Sequence, residues 1–207
     1  MSHYFHTPQG QAPRHIVEAT IWGRDYQFES ATGVFSANRL DVGTSVLFRI
    51  AAPPLDRPAR FLDLGCGVGP IAMALAIECP QARIDAVDTN HRAIELTARN
   101  AELLHVADRV QVHDEDPRLT ERAWAPSEGF DEIWSNPPIR IGKPALHDLL
   151  HSWLPLLTPD GSATFVVGKN LGADSLHSWL ESNGWAVERL GSSRGFRVLR
   201  VRRTVLG

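Results

Sequence analysis

From Arg60 onward the chain repeats one unit: a short apolar run, a turn, then a stretch of helical periodicity. RFLDL at Arg60 to Leu64 reads as a buried strand. A glycine-rich turn leads into a helix, IAMALAIE, which Pro80 stops. Arg83 to Val87 is a second strand, and His91 to about His105 a second helix with Ile94, Ala98, Ala101 and Leu104 on one face. Glu95 and Arg99 stand four apart, the spacing of a surface ion pair. Arg109 to Val112 begins a third strand, and FDEIWSN is the fourth. Leu146, Leu149, Leu150, Trp153, Leu154 and Leu157 mark the strongest helical stripe. Pro159-Asp160-Gly161 reads as a turn and SATFVVG as the fifth strand. Leu176, Trp179 and Leu180 mark a helix that ends at Asn183-Gly184. The last stretch, WAVERLGSSRGFRVLRVRR, reads as two strands joined by Gly191 to Gly195.

Right-handed crossovers turn such alternation into a parallel, doubly wound sheet. The last two strands have no helix between them, so one of them runs antiparallel. The expectation is an α/β chain with a mostly parallel seven-stranded sheet, a terminal antiparallel strand and a small N-terminal β-hairpin arm. The arm takes residues 1–40, with its strands either side of Gly23-Arg24-Asp25, and residues 41–207 form the main domain. Asp41 caps a helix running from Val42 to about Ala51, which Pro53-Pro54 ends.

Composition narrows the function. A net charge of -3 and a pI near 6.3 exclude a chain that binds nucleic acid by overall charge. They leave room for a local patch, and Arg194, Arg197, Arg200, Arg202 and Arg203 lie close together near the C-terminus. These arginines fit a solvated strand and a substrate-facing patch equally well. No long uncharged apolar run spans a membrane, and the N-terminus lacks the apolar core of a signal peptide. Two cysteines, Cys66 and Cys79, make neither a disulfide framework nor a zinc knuckle, so a reducing, cytoplasmic setting is expected. His147 and His151 share a helix face, but Asp148 stands where a zinc-protease helix has Glu, and a third ligand is missing. No metal is expected.

The turn after the first body strand is Asp63-Leu64-Gly65-Cys66-Gly67-Val68-Gly69. Glycines at this rim let backbone amides approach a ligand closely. Their spacing departs from the dinucleotide fingerprint, because Pro70 stands where a G-x-G-x-x-G motif has its third glycine. A tight G-x-G-x-G after an acid suits a ligand without a pyrophosphate. Asp88 ends the second strand, where a carboxylate accepts both hydroxyls of a ribose, and Thr89 follows it. His113-Asp114-Glu115-Asp116 follows the third strand; an acid here can meet an adenine amino group, with Asp114 and Glu115 both open.

Ser135-Asn136-Pro137-Pro138-Ile139 closes the fourth strand. An amide or exocyclic amine is a weak nucleophile because its lone pair is delocalised. Two acceptors on its N–H groups push that lone pair outward. The side-chain oxygen of Asn136 and the carbonyl of Pro137 can supply them, on a backbone that the prolines hold rigid. Most of the acceleration then comes from alignment at about 3 Å, with some electrostatic help.

On these residues the chain resembles class I S-adenosylmethionine-dependent methyltransferases with an Asn-Pro-Pro signature. More narrowly it resembles single-domain relatives of the ribosomal RNA small-subunit methyltransferase C family, which methylate the N2 amine of guanine. The resemblance takes in Gly33-Val34-Phe35-Ser36, Asp41-Val42-Gly43-Thr44, the Asp63 to Gly69 turn, Asn136 to Arg140 with Gly142-Lys143, and Gly195-Phe196-Arg197-Val198-Leu199. It implies a Rossmann-like fold and S-adenosylmethionine as cofactor. Thr44, Asp63, Gly65, Cys66, Gly67, Asp88, Thr89, Asp114, Glu115 and Asn136 would hold that cofactor. Asn136, Pro137, Pro138 and Ile139 would form the catalytic motif, and Phe35, Arg140, Lys143 and Arg197 would meet the substrate. The implied partner is RNA, ribosomal or in a ribosomal subunit, whose target base must leave its stack. Two departures stand out. Ile139 replaces the Tyr or Phe that stacks on a flipped base, and longer members carry an additional N-terminal domain with no counterpart here. The same Asn136 chemistry also suits a protein glutamine amide or a small-molecule amine. A non-catalytic binding module would not need Asn136 together with Asp88, and Pro70 disfavours a dehydrogenase. Oligomeric state leaves no mark on the sequence.

Overall fold

The computed structural model describes residues 13–34, 37–113, 129–137, 142–169 and 172–204. A hairpin comes first, β1 (Arg14–Ile21) and β2 (Arg24–Ala31), followed by α1 (Val42–Ile50). The body runs β3 (Ala59–Leu64), α2 (Pro70–Glu78), β4 (Ala82–Val87), α3 (His91–Leu103), β5 (Val110–His113) and β6 (Phe130–Ser135). It continues through α4 (Lys143–Trp153), a 3-10 turn (Leu154–Leu156), β7 (Leu157–Gly168), α5 (Ala173–Ser182), β8 (Trp185–Ser193) and β9 (Phe196–Arg203).

Seven strands form one sheet in the order β5-β4-β3-β6-β7-β9-β8. Pairings from β5 through β7 are parallel, and β9 is antiparallel to both its neighbours. The last strand therefore slots between β7 and β8, and β8 forms the edge. This brings Phe196, the first residue of β9, opposite Gly168 at the end of β7. Phe196 thus stands at the rim where the parallel strands finish.

Alternation along the strands fills two cores. Phe61, Trp134, Val166 and Val198 face α1, α2, α3 and the hairpin, where Leu47, Ile71, Leu75, Ala101 and Phe28 meet them. Leu62, Ile133, Phe165 and Leu199 face Leu146, Leu150 and Trp153 of α4 and Leu176 and Leu180 of α5. Trp134 is fully buried, its ring edge-on to Trp22 at 5.9 Å.

The turns differ from expectation in detail. The hairpin reverses at Trp22-Gly23, with φ of 48° and 83°, so Arg24 pairs with Ile21 instead of lying in the turn. Positive φ at both central residues is what a two-residue hairpin turn demands. Likewise β8 and β9 turn at Arg194-Gly195, while Gly191 lies within β8 at an irregularity of register. Pro159-Asp160-Gly161 interrupts pairing without ending β7: Phe130 pairs with Leu157 and Glu132 with Ser162. Arg99 does not serve Glu95. Its Nε donates to Glu29 of β2 at 3.0 Å, tying α3 to the hairpin.

Candidate active site

Strand order reverses direction of travel between β3 and β6, and a crevice opens at such a point beyond the strand ends. Ser135 Oγ donates to the Leu64 carbonyl at 2.6 Å and ties the two strand ends together. The glycine turn is held from behind. Gly65 and Cys66 N–H groups donate to the Val87 carbonyl at 2.8 and 3.0 Å. From α3, Thr97 Oγ1 donates to the Gly67 carbonyl and Asn100 Nδ2 to the Val68 carbonyl, both at 2.8 Å. Gly69, with φ of 86°, has no space for a side chain, since a Cβ there would stand 2.9 Å from Thr97 Cγ2. A Cβ on Gly67 would meet nothing within 4 Å, so this face of the turn is open.

Two carboxyls stand at the turn. Asp88 Oδ2 accepts from the Gly67 N–H and Oδ1 from the Asn90 N–H, both at 2.9 Å. Asp88 is half-buried and Thr89 beside it is exposed. Asp63 is wholly buried; its Oδ2 accepts from the Ala72 N–H at 2.9 Å, and its Oδ1 has no hydrogen-bond partner. Burial pushes the Asp63 carboxyl up to about 8, against the Ala72 hydrogen bond and with a further push from the Asp88 charge. Between the ordinary value of 3.8 and about 8 the folded chain holds a proton that the unfolded chain has released. Stability is therefore lost as pH rises through that window. The urea midpoint of the free protein is expected to fall from pH 5 to pH 8. Asp63→Asn keeps an acceptor for Ala72 and cannot ionise, so its midpoints should converge; an unchanged slope would reject Asp63 as the source. Cys66 is buried beside this pair, and burial above all, with the Asp63 and Asp88 carboxyls, pushes its thiol well above the ordinary value.

Asn136 projects from the end of β6 toward the start of α1. Its Nδ2 donates to Asp41 Oδ1 at 2.6 Å and to Thr44 Oγ1 at 3.0 Å. A carboxylate only accepts, so this contact fixes which end of the amide is nitrogen. Both N–H groups are taken, and Oδ1 is left as the outward acceptor. Asp41 Oδ1 also accepts from the Thr44 N–H at 3.1 Å, so one carboxylate caps α1 and orients Asn136. Gly43 makes this closeness possible: a Cβ there would lie 2.9 Å from Asp41 Oδ1, 3.1 Å from Phe196 Cε1 and 3.2 Å from Asn136 Oδ1. The Phe196 ring and the acceptor oxygen therefore both approach Gly43.

The cleft is narrow, with a cavity of about 60 Å³. Gly65, Cys66 and Gly67 line one side, Asp41, Thr44 and Asn136 another, and Val17, Phe28 and Ser30 of the hairpin close it. Ser30 Oγ is buried on this wall without a hydrogen-bond partner. Sequence reasoning missed the hairpin residues, and it read Asp41 only as a cap. The Asp41-Val42-Gly43-Thr44 and Gly195-Phe196 segments carried the available signal. Pro137 is buried directly after Asn136. Phe35, Asp114, Glu115, Pro138, Ile139 and Arg140 lie outside the described residues. Two other expected substrate contacts are placed elsewhere on the rim: Lys143 runs its side chain over Gly172 at the start of α5, and Arg197 pairs with Asp174 of α5. His147 stacks on Trp179 at 4.0 Å.

The family model of the methyltransferase small domain matches residues 25–200. The chain belongs to the methyltransferase small domain family. This methyltransferase uses S-adenosylmethionine. Along nearly its whole length it is similar to the uncharacterized protein YbxB of Bacillus subtilis, 28% identical over 201 residues that cover 97% of this chain and 98% of the relative. It is 32% identical over 176 residues to the ribosomal RNA small subunit methyltransferase C of Hahella chejuensis, covering 83% of this chain and 48% of that one. The fold matches the T. thermophilus 16S rRNA N2 G1207 methyltransferase, solved with AdoMet and guanosine, at a TM-score of 0.80 and 23% identity over 95% of this chain and 52% of that one. The chain thus spans about half the length of the methyltransferase C proteins it matches. Among the described residues no helix is long and apolar enough to cross a membrane.

Proposed function

We propose that this methyltransferase modifies the exocyclic N2 amine of a guanine in ribosomal RNA. The orientation of the Asn136 amide carries the reading. With both N–H groups bound to Asp41 and Thr44, its Oδ1 is an acceptor and nothing else. A site for a planar amine needs such an acceptor, and the Pro137 carbonyl is the second. The names of the methyltransferase C relatives support guanine in ribosomal RNA as the target.

The cleft fits the cofactor in chemistry. Gly67 offers a backbone surface free of side chains, and Ser30 Oγ is a buried hydroxyl in search of a partner. Asp88 would accept the ribose hydroxyls, with Thr89 beside it, and Asp114 or Glu115 would meet the adenine. Asp63 and Cys66 would shape the turn from beneath, and Thr44 would stand near the methionyl end. The bound cofactor supplies a methyl group made electrophilic by its sulfonium. The protein's part is to hold the amine in line with that methyl. Asn136 Oδ1 and the Pro137 carbonyl would grip the two amine N–H groups while the nitrogen took up that methyl from the sulfonium, and one of the two protons would then pass to water, so no strong base is needed. The hairpin arm, residues 1–40, would act as one wall of the catalytic domain, residues 41–207.

The test is transfer of labelled methyl from S-adenosylmethionine to purified ribosomal RNA and small subunits, followed by mass spectrometry of the nucleosides. N2-methylguanosine is the expected product. Label in protein, at a glutamine amide, or in a small amine would overturn the RNA reading and keep the nitrogen chemistry.

A further inference from the structure

Leu40 lines both the cleft beside Asn136 and a second groove, of about 420 Å³. This groove runs between the hairpin turn, α1 and the β8-β9 turn, where Trp22, Arg49 and Arg194 form part of its wall. Arg49 sits in the last turn of α1, exposed, with its guanidinium on Ser193 Oγ. Arg194 is exposed in the β8-β9 turn. Neither is in an ion pair among the described residues, and no carboxylate lines the groove. Several arginines elsewhere are matched: Arg14 and Arg99 with Glu29, Arg24 with Glu78, Arg57 with Asp131, Arg60 with Asp85 and Arg197 with Asp174.

The backbone makes Arg194 more telling. Its φ of 48° is one that glycine, asparagine or aspartate adopts at lower cost in a two-residue hairpin turn. Trp22 has the same φ in the other hairpin, but its ring is packed edge-on to Phe48 at 4.9 Å, and its Nε1 donates to the Ala51 carbonyl at 2.9 Å. That packing accounts for the tryptophan. Nothing comparable holds Arg194. The other C-terminal arginines face elsewhere: Arg203 donates to the Pro155 and Leu157 carbonyls, and Arg200 and Arg202 lie in the field of Glu132.

We propose that this groove carries the phosphate backbone of the single-stranded RNA that flanks the target base, with Arg49 and Arg194 as its phosphate contacts. The inference rests on the RNA reading above. A chain of net charge -3 repels nucleic acid at long range, so it needs local unmatched cations where a strand lies. Two of them beside the mouth of the cleft meet that need. Trp22, whose only donor is already taken, adds apolar surface against ribose or base.

The test uses the full chain, a fluorescent single-stranded fragment of ribosomal RNA, and anisotropy at several salt concentrations. The double variant Arg49→Gln/Arg194→Asn keeps a side chain tolerant of positive φ in the turn, and Arg57→Gln at the opposite end of the sheet is the control. The double variant is expected to lose on the order of tenfold in RNA affinity. Its salt slope should shrink by about 1.4, two contacts at about 0.7 each. Calorimetric affinity for S-adenosylmethionine should not move. Wild-type affinity and slope in the double variant, with RNA methylated normally, would overturn the groove alone. A wild-type protein that neither binds nor methylates RNA would overturn the RNA reading and the groove with it.

Discussion

Asn136→Ala is expected to lower kcat by about 10² to 10³ while leaving S-adenosylmethionine affinity within about threefold, the pattern of a group that acts only during reaction. The geometry separates the two effects. Asn136 Nδ2 is engaged by protein atoms, and only Oδ1 is free to receive the amine. Removing it takes away an acceptor that strengthens as the nitrogen gains positive charge. Asp41 is a positioning residue in this scheme. Asp41→Ala should lose the helix cap, about 1 kcal/mol of stability, and release the Asn136 amide to rotate, so kcat falls well beyond what that stability change explains. Asp41→Asn retains an oxygen for both the Thr44 N–H and Asn136 Nδ2, so it should restore most of the rate. Gly43→Ala is the sharper companion. It replaces glycine by a better helix former, yet its methyl would meet Asn136 Oδ1 at 3.2 Å and Asp41 Oδ1 at 2.9 Å. Activity should drop with little loss of thermal stability. Single-turnover rates beside calorimetry decide the matter, and full turnover in the Asn136→Ala protein would remove the amine grip from the mechanism.

Much of this site is legible in one dimension because it sits where periodicity changes. The Asp63 to Gly69 turn, Asp88 and Asn136 each end a strand, and strand ends are what alternation locates best. Asp41 shows where such reading stops. Its place before an apolar helical run marks it as a cap, and it does cap α1, but its second partner is 95 residues away. No local pattern encodes that contact. Phe196 is a similar case. A hairpin at the C-terminus is visible in the sequence, whereas the insertion of β9 between β7 and β8 depends on which of the two hairpin strands packs better along the free edge of β7. Only that insertion carries Phe196 to Gly43. Arg99 shows tertiary structure overriding a local rule: Glu95 is at the right spacing, but Glu29 is nearly buried. Although desolvation opposes it, the hydrogen bonds from Arg99 and Arg14 hold the Glu29 carboxyl below its ordinary value. A buried carboxylate gains more from a cation than an exposed one does. The hairpin wall of the cleft stayed hidden for the same reason. Alternation in β1 and β2 shows that one face is buried, not that Val17, Phe28 and Ser30 face a ligand cleft.

Asp88→Ala is expected to weaken S-adenosylmethionine binding by about 2–4 kcal/mol, the loss of one or two hydrogen bonds to a charged group. The number alone would not identify the cause. Asp88 already accepts from the Gly67 and Asn90 N–H groups, so its removal also loosens the turn that forms the cleft floor. A cycle on the ligand separates the two roles. Adenosine and 2′-deoxyadenosine, used as competitors, differ by one hydroxyl. If Asp88 holds the ribose, the wild-type protein prefers adenosine by on the order of tenfold, and the Asp88→Ala protein does not distinguish the pair. If Asp88 only organises the turn, both ligands weaken together and the preference survives in the variant. The second outcome would reassign Asp88 from ligand contact to loop anchor. The first would leave Gly67 doubly constrained: its open face must stay free for the ligand, while its N–H is held by the carboxylate that reads the sugar.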